Sequence, residues 1–444
     1  MTDPIADLGE DFVEAWPRIV RALAAYTGSL DEAQEYAAEA IARAVAQVGH
    51  RDGRGGADGS GPPALGSLAA WCTAVGKRAW IDDRRRAAVE QRHAQREAGE
   101  LRSALAGSDA DAGASVIEAP LADALDDRLA LLFVACDPAL TEQARLVLAL
   151  RVVCGLDVAR IAAHLGIQQS AAAARLTRAK HALAKARGRF RVPDAPERRV
   201  RLPVVLASVA GMFTVAHRDV LDPHDPLDDL GRQALSIADA LVAEYPDDAE
   251  VRGLRAVIRL GLARRPGRLD ADGVAVPLDE ADRSRWDRRL IEAGLADAAA
   301  AADRGDGRFV LEAAIAGLHT SAPSFERTDW ARVVGFYRAL ERVWGSPSVT
   351  AGRLAAELHR SLLAPASGER TATLRAIEAE LHGLAAGPAP YAALDARFAL
   401  ADLAWRTGRR EQAAVEYALL ADLVPTEPVR RFCLARSAAS PGRA

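Results

Sequence analysis

The chain has 444 residues, of which 50% are hydrophobic and 5% aromatic, and its net charge is -4. This length exceeds that of one compact core and predicts about two to four domains. The charge excludes a uniformly basic nucleic-acid-binding coat, so any contact with DNA must come from local clusters. Most of the hydrophobic residues are Ala, Leu and Val. Because this composition favours helices over sheets, we predict an all-α fold.

An amino-terminal helical module is predicted for residues 1–95. Two helices are expected within residues 11–48, on either side of the sequence TGSLDE, and a glycine-rich stretch begins at Gly49. Helical periodicity returns over residues 68–95. Residues 96–120 are rich in Gly, Ser, Asp and Ala, which predicts a flexible linker.

A second module, predicted for residues 121–192, contains the sequence IAAHLGIQQSAAAARLTRAKHAL, which has helix-turn-helix spacing. The expected inward face of its first helix consists of Ile161, Ala162 and Leu165. Gly166 permits a tight turn, and Ser170 is expected to open the second helix.

The second helix of this motif is strongly basic, and no acidic residue stands between Asp157 and Asp194. A basic helix suits the major groove, where it displaces the cations condensed on the phosphates. The candidate DNA-binding residues are Gln168, Gln169, Ser170, Arg175, Arg178 and Lys180. The sequence leaves open which of them read bases and which hold phosphates. The alternative is an ordinary helical hairpin with a solvated basic face, which the alanines at 171–174 favour.

Residues 193–444 are predicted to form a series of helices joined by turns that contain Pro and Gly. The end of the chain has the spacing of a tetratricopeptide helix pair, with the signature positions Leu403, Gly408, Ala414, Tyr417, Leu420 and Pro425. The sequence DADG at 270–273 lacks the remaining ligands of a calcium-binding loop, so we interpret it as a turn.

The four cysteines indicate a reducing compartment. They are Cys72, Cys136, Cys154 and Cys433, with no CxxC pair and no nearby histidine cluster. This pattern predicts neither a disulfide framework nor a metal site. The amino terminus lacks the apolar core of an export signal, and the longest apolar run contains Pro203 and is short for a bilayer span. We therefore expect a cytoplasmic protein without membrane contact.

Two stretches together resemble the extracytoplasmic-function sigma factors of RNA polymerase. IAAHLGIQQSAAAARLTRAKHAL is similar to their promoter-reading fourth region, and AWCTAVGKRAWIDDRRR, from Ala70 to Arg86, is similar to their second region. The sequences that begin at Asp126 and Asp270 resemble the subgroup with a long tetratricopeptide-like carboxy-terminal extension. The resemblance thus extends over nearly the whole chain.

This resemblance implies two partners, core RNA polymerase and promoter DNA. In the first module it implies polymerase-binding residues at Glu35, Glu39 and Arg43, and minus-ten DNA-binding residues at Lys77, Arg78, Trp80, Arg84, Arg85 and Arg86. For Trp80, base stacking and core packing both remain open. In the second module, the helix-turn-helix residues named above would read the minus-thirty-five element.

A large carboxy-terminal domain is joined to an otherwise complete pair of sigma modules, so we hypothesise that this domain regulates or supports them, through contacts within the chain or with an unknown protein. Ala38 and Ile41 depart from the family's polymerase-binding pattern, which leaves a stand-alone DNA-binding regulator as an alternative. A repeat scaffold with a vestigial helix-turn-helix is a second alternative. The sequence has no GxSxG, no HExxH and no phosphate-binding glycine loop. We therefore expect neither an enzyme nor a cofactor.

Overall fold

The computed structural model describes residues 4–51, 65–102, 125–219 and 229–439. Within these ranges the chain forms eighteen α-helices and no strand, apart from an isolated antiparallel bridge between Leu269 and Ala275. The predicted all-α fold is confirmed. Most of the predicted glycine-rich loop and most of the predicted linker lie outside the described residues.

The chain divides into two compact units. Of the described residues, those up to 208 form the N-terminal unit, and those from 209 onward form the C-terminal unit. The helices of the first unit are α1 Pro4–Thr27, α2 Leu30–Arg51, α3 Leu65–Arg102, α4 Asp127–Ala135, α5 Glu142–Val152, α6 Val158–Leu165 and α7 Gln169–Arg187. Helix α8, Ala195–Asp219, begins in the first unit and ends in the second. The finer domain bounds predicted from the sequence stay predictions.

In the N-terminal unit, α1 packs against α2, α3 and α4. Its inward face is apolar, and Trp16, Ile19 and Leu23 are fully buried. The Trp16 indole N–H donates a 3.1 Å hydrogen bond to the Val152 carbonyl, and buried Arg21 donates to the Leu125 carbonyl at 2.6 Å. Both contacts join α1, in the first predicted module, to residues of the second, so the two modules pack directly against each other.

The helices α4 to α7 have local start signals in the sequence. Asp126, Thr141 and Asp157 are the N-caps of α4, α5 and α6, and each side chain accepts backbone N–H groups from the first turn. Such caps satisfy donors that have no partner within the helix. Helix α4 is then buried from Leu129 to Ala135, so nearly the whole helix contributes to the core of the unit.

The C-terminal unit contains ten complete helices in the described part of the chain. They are α9 Leu230–Glu244, α10 Ala249–Ala263, α11 Arg288–Ala302, α12 Arg308–Ser321, α13 Trp330–Val343, α14 Pro347–Leu363, α15 Gly368–Ala385, α16 Pro390–Arg406, α17 Arg410–Leu423 and α18 Glu427–Ala438. Each helix packs against the next in chain order. This arrangement buries apolar faces without one central core.

The predicted turn and the predicted repeat positions have clear outcomes. Asp270 accepts the backbone N–H groups of Asp272 and Val274, and Gly273 has a φ of 72°, so the DADG turn is confirmed. Near the end of the chain, Leu403 and Leu420 are buried as the repeat spacing predicts. The tetratricopeptide-like character of the whole unit stays a prediction.

The connection between α10 and α11 returns to the last helices of the unit. Asp279 lies 2.5 Å from Arg406 of α16, and Ala275 N–H donates a 3.1 Å hydrogen bond to the Pro428 carbonyl of α18. Arg431 of α18 also donates to the Asp272 carbonyl at 2.7 Å. The connection between α10 and α11 is therefore held against α16 and α18, which lie far later in the sequence.

In the described part of the chain, one helical segment, residues 195–217 of α8, is long and apolar enough to cross a membrane by length and composition, with a mean hydropathy of 1.5. Most of its apolar window is buried inside the protein. A buried core helix passes the same test, so this helix is weak evidence for a membrane span.

A close helix crossing provides a test of the packing between α10 and α12. A Cβ atom on Gly253 would lie 2.6 Å from the carbonyl carbon of Phe309 and 2.7 Å from the backbone nitrogen of Val310. Since backbone atoms cannot rotate away, we expect Gly253→Ala to destabilise the C-terminal unit by about 1–3 kcal/mol. Urea denaturation with hydrogen exchange of α10 and α12 peptides would measure this.

Gly383 of α15 is the matched control, because no atom lies within 4 Å of its added Cβ. Gly383→Ala should stabilise the unit by about 0.5–1 kcal/mol, since alanine is the better helix former. Equal effects of the two substitutions would contradict the close crossing of α10 and α12.

Candidate nucleic-acid interface

Helices α6 and α7 form the predicted helix-turn-helix. Gly166 ends α6 with a φ of 60°, a left-handed conformation that strains other residues. Ile167 N–H donates to the Ala162 carbonyl at 3.0 Å, which completes the turn. Ile161 and Ala162 are buried as predicted, whereas Leu165 is half-buried and His164 is buried beside them.

The start of α7 differs from the prediction. Ser170 was expected to open the helix, but α7 begins at Gln169 and its N-cap is Gln168, which makes no side-chain capping bond. Ser170 therefore lies inside the first turn and its side chain is exposed. Gln168 and Gln169 are also exposed, so all three polar candidates at this end are accessible to a ligand.

The two faces of α7 are sharply different. The buried face consists of Ala172, Leu176, Ala179 and Leu183. The exposed residues on the other side are Ser170, Ala174, Thr177, Arg178, His181 and Lys185. They follow the three-and-four spacing of one helical face. The sequence prediction omitted Thr177, His181 and Lys185 from the candidates, although counting this spacing onward from Ser170 would have found them.

The three basic candidates of α7 have different surroundings. Arg178 is exposed, whereas Arg175 lies at the edge of the buried face and is half-buried. Lys180 is half-buried and forms an ion pair with Asp31 of α2. The structure therefore places Arg178 on the open face and engages Lys180 within the N-terminal unit.

The end of α7 is fixed by buried charge. Asp137 is 1% exposed; it accepts a 2.7 Å hydrogen bond from Arg187, and buried Arg201 of α8 lies 3.1 Å away. Burial alone would raise the pKa of Asp137, but hydrogen bonds from Arg187 and the Ala139 N–H, with the charge of Arg201, lower that pKa below its ordinary value. This cluster sets the position of α7 relative to α4 and α8.

The minus-ten candidates lie on α3, where most of them have partners inside the N-terminal unit. The Trp80 indole N–H donates to Glu32 at 2.8 Å, and Arg84 donates to the same carboxylate at 2.7 Å. Lys77 lies 4.8 Å from the centre of the Tyr26 ring. Trp80 thus packs on α1 and α2 through its ring edge and its N–H, which leaves it half-buried.

The remaining α3 candidates are more accessible. Arg86 lies 2.7 Å from Asp83, which also accepts the Tyr36 hydroxyl at 2.9 Å. Burial and the Asp83 carboxylate raise the pKa of Tyr36 to about 12. Arg78 and Arg85 are exposed, and neither has an ion-pair partner among the side chains that the structure describes. These two arginines are the α3 cations most accessible to an external anion.

The polymerase-binding candidates share the exposed face of α2. Glu39 and Arg43 form an ion pair at 2.5 Å, and Glu35 is exposed one turn earlier. The opposite face packs through Ala33, Ala37 and Ala40, which are fully buried. Exposed Ala38 and half-buried Ile41 lie at the positions where the sequence departs from the family pattern.

No cluster of three or more His, Cys, Asp or Glu side chains that could hold a metal ion occurs within the described ranges. The four cysteines are buried as free thiols.

Comparison with known proteins shows which families this sequence resembles. Residues 133–183 match the family Sigma-70, region 4, and residues 201–302 match a family of unknown function, DUF6596. The chain is 35% identical over 351 residues to the uncharacterized protein R00370 of Rhizobium meliloti (strain 1021), over 78% of each chain. The chain belongs to the family of that rhizobial protein. No solved structure matches it.

The Sigma-70, region 4 match covers the end of α4, all of α5 and α6, and most of α7, including the exposed face described above except Lys185. It supports a sigma-factor-like DNA-binding role. The DUF6596 match runs from α8 through α11. This family member therefore joins a sigma region 4 domain to a C-terminal domain of unknown function.

Proposed function

We propose that this family member is an alternative sigma factor of the extracytoplasmic-function type, which binds core RNA polymerase and directs promoter-specific transcription initiation in the cytoplasm. The observation that carries the proposal is the exposed polar and basic face of α7, which follows a left-handed glycine turn within the Sigma-70, region 4 match. A helix of this kind presents its amino end to base edges in the major groove.

The proposal assigns separate roles to three helices. At the N-cap and along α7, Gln168, Gln169, Ser170 and Arg178 contact the minus-thirty-five element, with Arg175 and Lys180 at the margins of that contact. The α3 residues Arg78 and Arg85 contact phosphates near the minus-ten element, and Lys77, Trp80, Arg84 and Arg86 flank them. Glu35, Glu39 and Arg43 of α2 contact the polymerase. We further propose that the tetratricopeptide-like C-terminal unit regulates or supports these contacts.

Binding DNA must compete with ion pairs inside the N-terminal unit. Lys180 is paired with Asp31, and Arg84 lies 2.7 Å from Glu32. Such partly exposed pairs contribute about 0–1 kcal/mol each. Since each phosphate contact also releases condensed counterions, exchanging these partners for phosphates costs little.

The first experiment is co-purification of the full chain with core RNA polymerase, followed by transcription from a promoter library. Stable binding with promoter-selective transcripts supports the proposed sigma factor. The exposed Ala38 favours one second candidate, a DNA-binding regulator that does not bind the polymerase. Sequence-specific DNA binding without polymerase binding would establish that candidate, and an absence of both activities would reject both functions.

Arg178→Ala tests the α7 face directly. If Arg178 holds a base edge, we expect a loss of about 1–3 kcal/mol in binding to the selected promoter, with little change in non-specific binding. If it holds a phosphate, the loss of affinity should be similar for all DNA sequences. The slope of log affinity against log salt concentration should then be shallower by about one. Fluorescence anisotropy over a salt series distinguishes these results.

Arg342→Ala is the matched control, because Arg342 is an exposed arginine of α13 in the C-terminal unit. It should leave the DNA affinity and its salt slope unchanged. If Arg178→Ala leaves the DNA affinity unchanged, the assignment of α7 as the DNA-binding helix is contradicted.

A further inference from the structure

The C-terminal unit contains a cavity of about 700 Å³ that no part of the proposed function uses. Its walls come from α12 to α18, and the segment 277–279 of the connection between α10 and α11 forms one side. Arg406 holds that segment through its ion pair with Asp279 at 2.5 Å. The volume lies in the range of pockets that bind small organic molecules.

Aromatic side chains form much of the cavity wall. The aromatic lining residues are Phe325, Trp330, Tyr337, Phe398, Trp405, Tyr417 and Phe432. Several are held edge to face: the ring centres of Phe325 and Trp330 are 4.9 Å apart, and those of Tyr417 and Phe432 are 5.8 Å apart. Rings fixed in this way offer a flat apolar occupant both contact area and favourable ring-to-ring geometry.

The position of Tyr337 depends on a glycine in the facing helix. A Cβ on Gly352 would lie 2.7 Å from a ring carbon of Tyr337. Burial raises the pKa of Tyr337 to about 12, so its hydroxyl is neutral at physiological pH. The part of the cavity wall that Tyr337 forms is therefore uncharged, and it lies close to α14.

The charged groups of the cavity do not all neutralise one another. Arg406 is shared between Asp402 at 2.7 Å and Asp279 at 2.5 Å, so this cluster has two carboxylates for one guanidinium, and Asp395 also lines the cavity. Arg436 also has a carboxylate partner, because it pairs with Glu280.

Arg410 is different, since it has no carboxylate within ion-pair distance in the described part of the chain. Its guanidinium lies 3.7 Å from the centre of the Trp405 ring, and its Nη1 is buried without a hydrogen-bond acceptor. A buried donor that lacks an acceptor costs free energy. The guanidinium of Arg370, which also lines the cavity, donates a 2.9 Å hydrogen bond to the Ala364 carbonyl. Among the residues that the structure describes, neither Arg410 nor Arg370 has a carboxylate partner.

We propose that this cavity binds a small aromatic monoanion, a flat apolar molecule that carries one carboxylate or sulfonate. The rings of Phe398 and Trp405 contact the apolar body, and Arg410, with Arg370 at the rim, takes the anionic group. A charge-assisted hydrogen bond to a guanidinium is stronger than a neutral one. The aromatic body and the single negative charge are therefore both required. This proposal stands independently of the sigma-factor function.

The test uses two fluorescent probes that share their rings and differ in charge. The anionic probe is 8-anilinonaphthalene-1-sulfonate, and N-phenyl-1-naphthylamine is its uncharged counterpart. Titrated into the full-length protein, the sulfonate should bind at one site per chain and at least about tenfold more tightly than the amine. Equal affinities for the two probes would overturn the proposed preference for an anion.

Three variants locate the binding site. Arg410→Gln should weaken the sulfonate about tenfold and leave the amine unchanged, and Arg370→Gln should act in the same direction if Arg410→Gln fails to fold. Ala355→Phe places a large side chain of α14 inside the cavity and should abolish the binding of both probes. Arg342→Gln, on an exposed arginine outside the cavity, should change neither. Sulfonate binding that survives Ala355→Phe would place the probe elsewhere and overturn the proposal.

Discussion

Replacing Asp137 by alanine should destabilise the N-terminal unit by about 3–5 kcal/mol. The Asp137 carboxylate is 1% exposed and lies between the guanidinium groups of Arg187 and Arg201. Arg201 is itself buried, so removing the carboxylate leaves an uncompensated positive charge inside the protein. The cost of breaking a buried ion pair on one side comes chiefly from such a stranded charge.

Urea denaturation, with hydrogen exchange of α4 and α8 peptides, would measure this loss at pH 7. Glu90→Ala is the control, since Glu90 is an exposed carboxylate of α3, and it should change the unfolding free energy by less than about 0.5 kcal/mol. The pKa of Asp137 is lowered in the folded state, so its contribution is complete above the ordinary value of 3.8 and is lost as the pH falls through the folded value. The variant should lack this acid-dependent loss. Similar stabilities of Asp137→Ala and Glu90→Ala would contradict the buried cluster.

Acidification should destabilise the C-terminal unit well before its carboxylates titrate. His319 packs 5.2 Å from Trp330, measured between ring centres, and its Nδ1 is buried without a hydrogen-bond partner. Burial, together with the positive charges of Arg264 and Arg283, lowers the pKa of His319 to about 3. Burial and the charge of Arg406 lower the pKa of His359 to about 4, against the opposing effect of Asp279.

Both histidines are thus neutral in the folded unit under conditions where the unfolded chain protonates them, near pH 6.5. Their contribution to stability is complete above pH 6.5 and is lost as the pH falls through the folded pKa values. Well below pH 6.5, and down to about pH 4, each histidine should lower the unfolding free energy by about 1.4 kcal/mol per pH unit.

Urea denaturation of the C-terminal unit at several pH values between 7 and 4.5 would measure this slope. His359→Gln should reduce the histidine contribution to the slope by about half, because one of the two depressed groups is removed. His382→Gln, which replaces an exposed histidine of α15, should leave the slope unchanged. A slope that does not change after His359→Gln would show that His359 is protonated in the folded unit.

The local features of the helix-turn-helix could be predicted from the sequence because each depends on neighbouring residues. Periodic apolar positions indicate which face of a helix is buried, and Ile161 and Ala162 were identified in this way. Glycine at 166 is nearly required by the left-handed φ of the turn. The start of α7 was less well determined. Ser170 is a strong N-cap type, yet the chain reaches helical geometry one residue earlier, at Gln169.

The pairings of the charged candidates could not be predicted from the sequence. Lys180 and Asp31 are 149 residues apart, and no pattern along the chain indicates that α7 and α2 meet. The same holds for Trp80 with Glu32 of the preceding helix. Sequence spacing places charges on a face, whereas packing between helices decides which of those charges are already paired. For this reason exposed Arg178 and paired Lys180 looked equivalent in the sequence.

The reaction rates of the four buried cysteines can report local opening of the protein. Burial raises the pKa of Cys72, Cys136 and Cys433 to about 11 and that of Cys154 to about 12, so almost none of these thiols is ionised at neutral pH. Alkylating reagents attack the thiolate, and each site must open before it reacts. The four cysteines lie in α3, after α4, after α5 and in α18. Alkylation rates resolved by mass spectrometry would therefore follow the opening of both units without an introduced label.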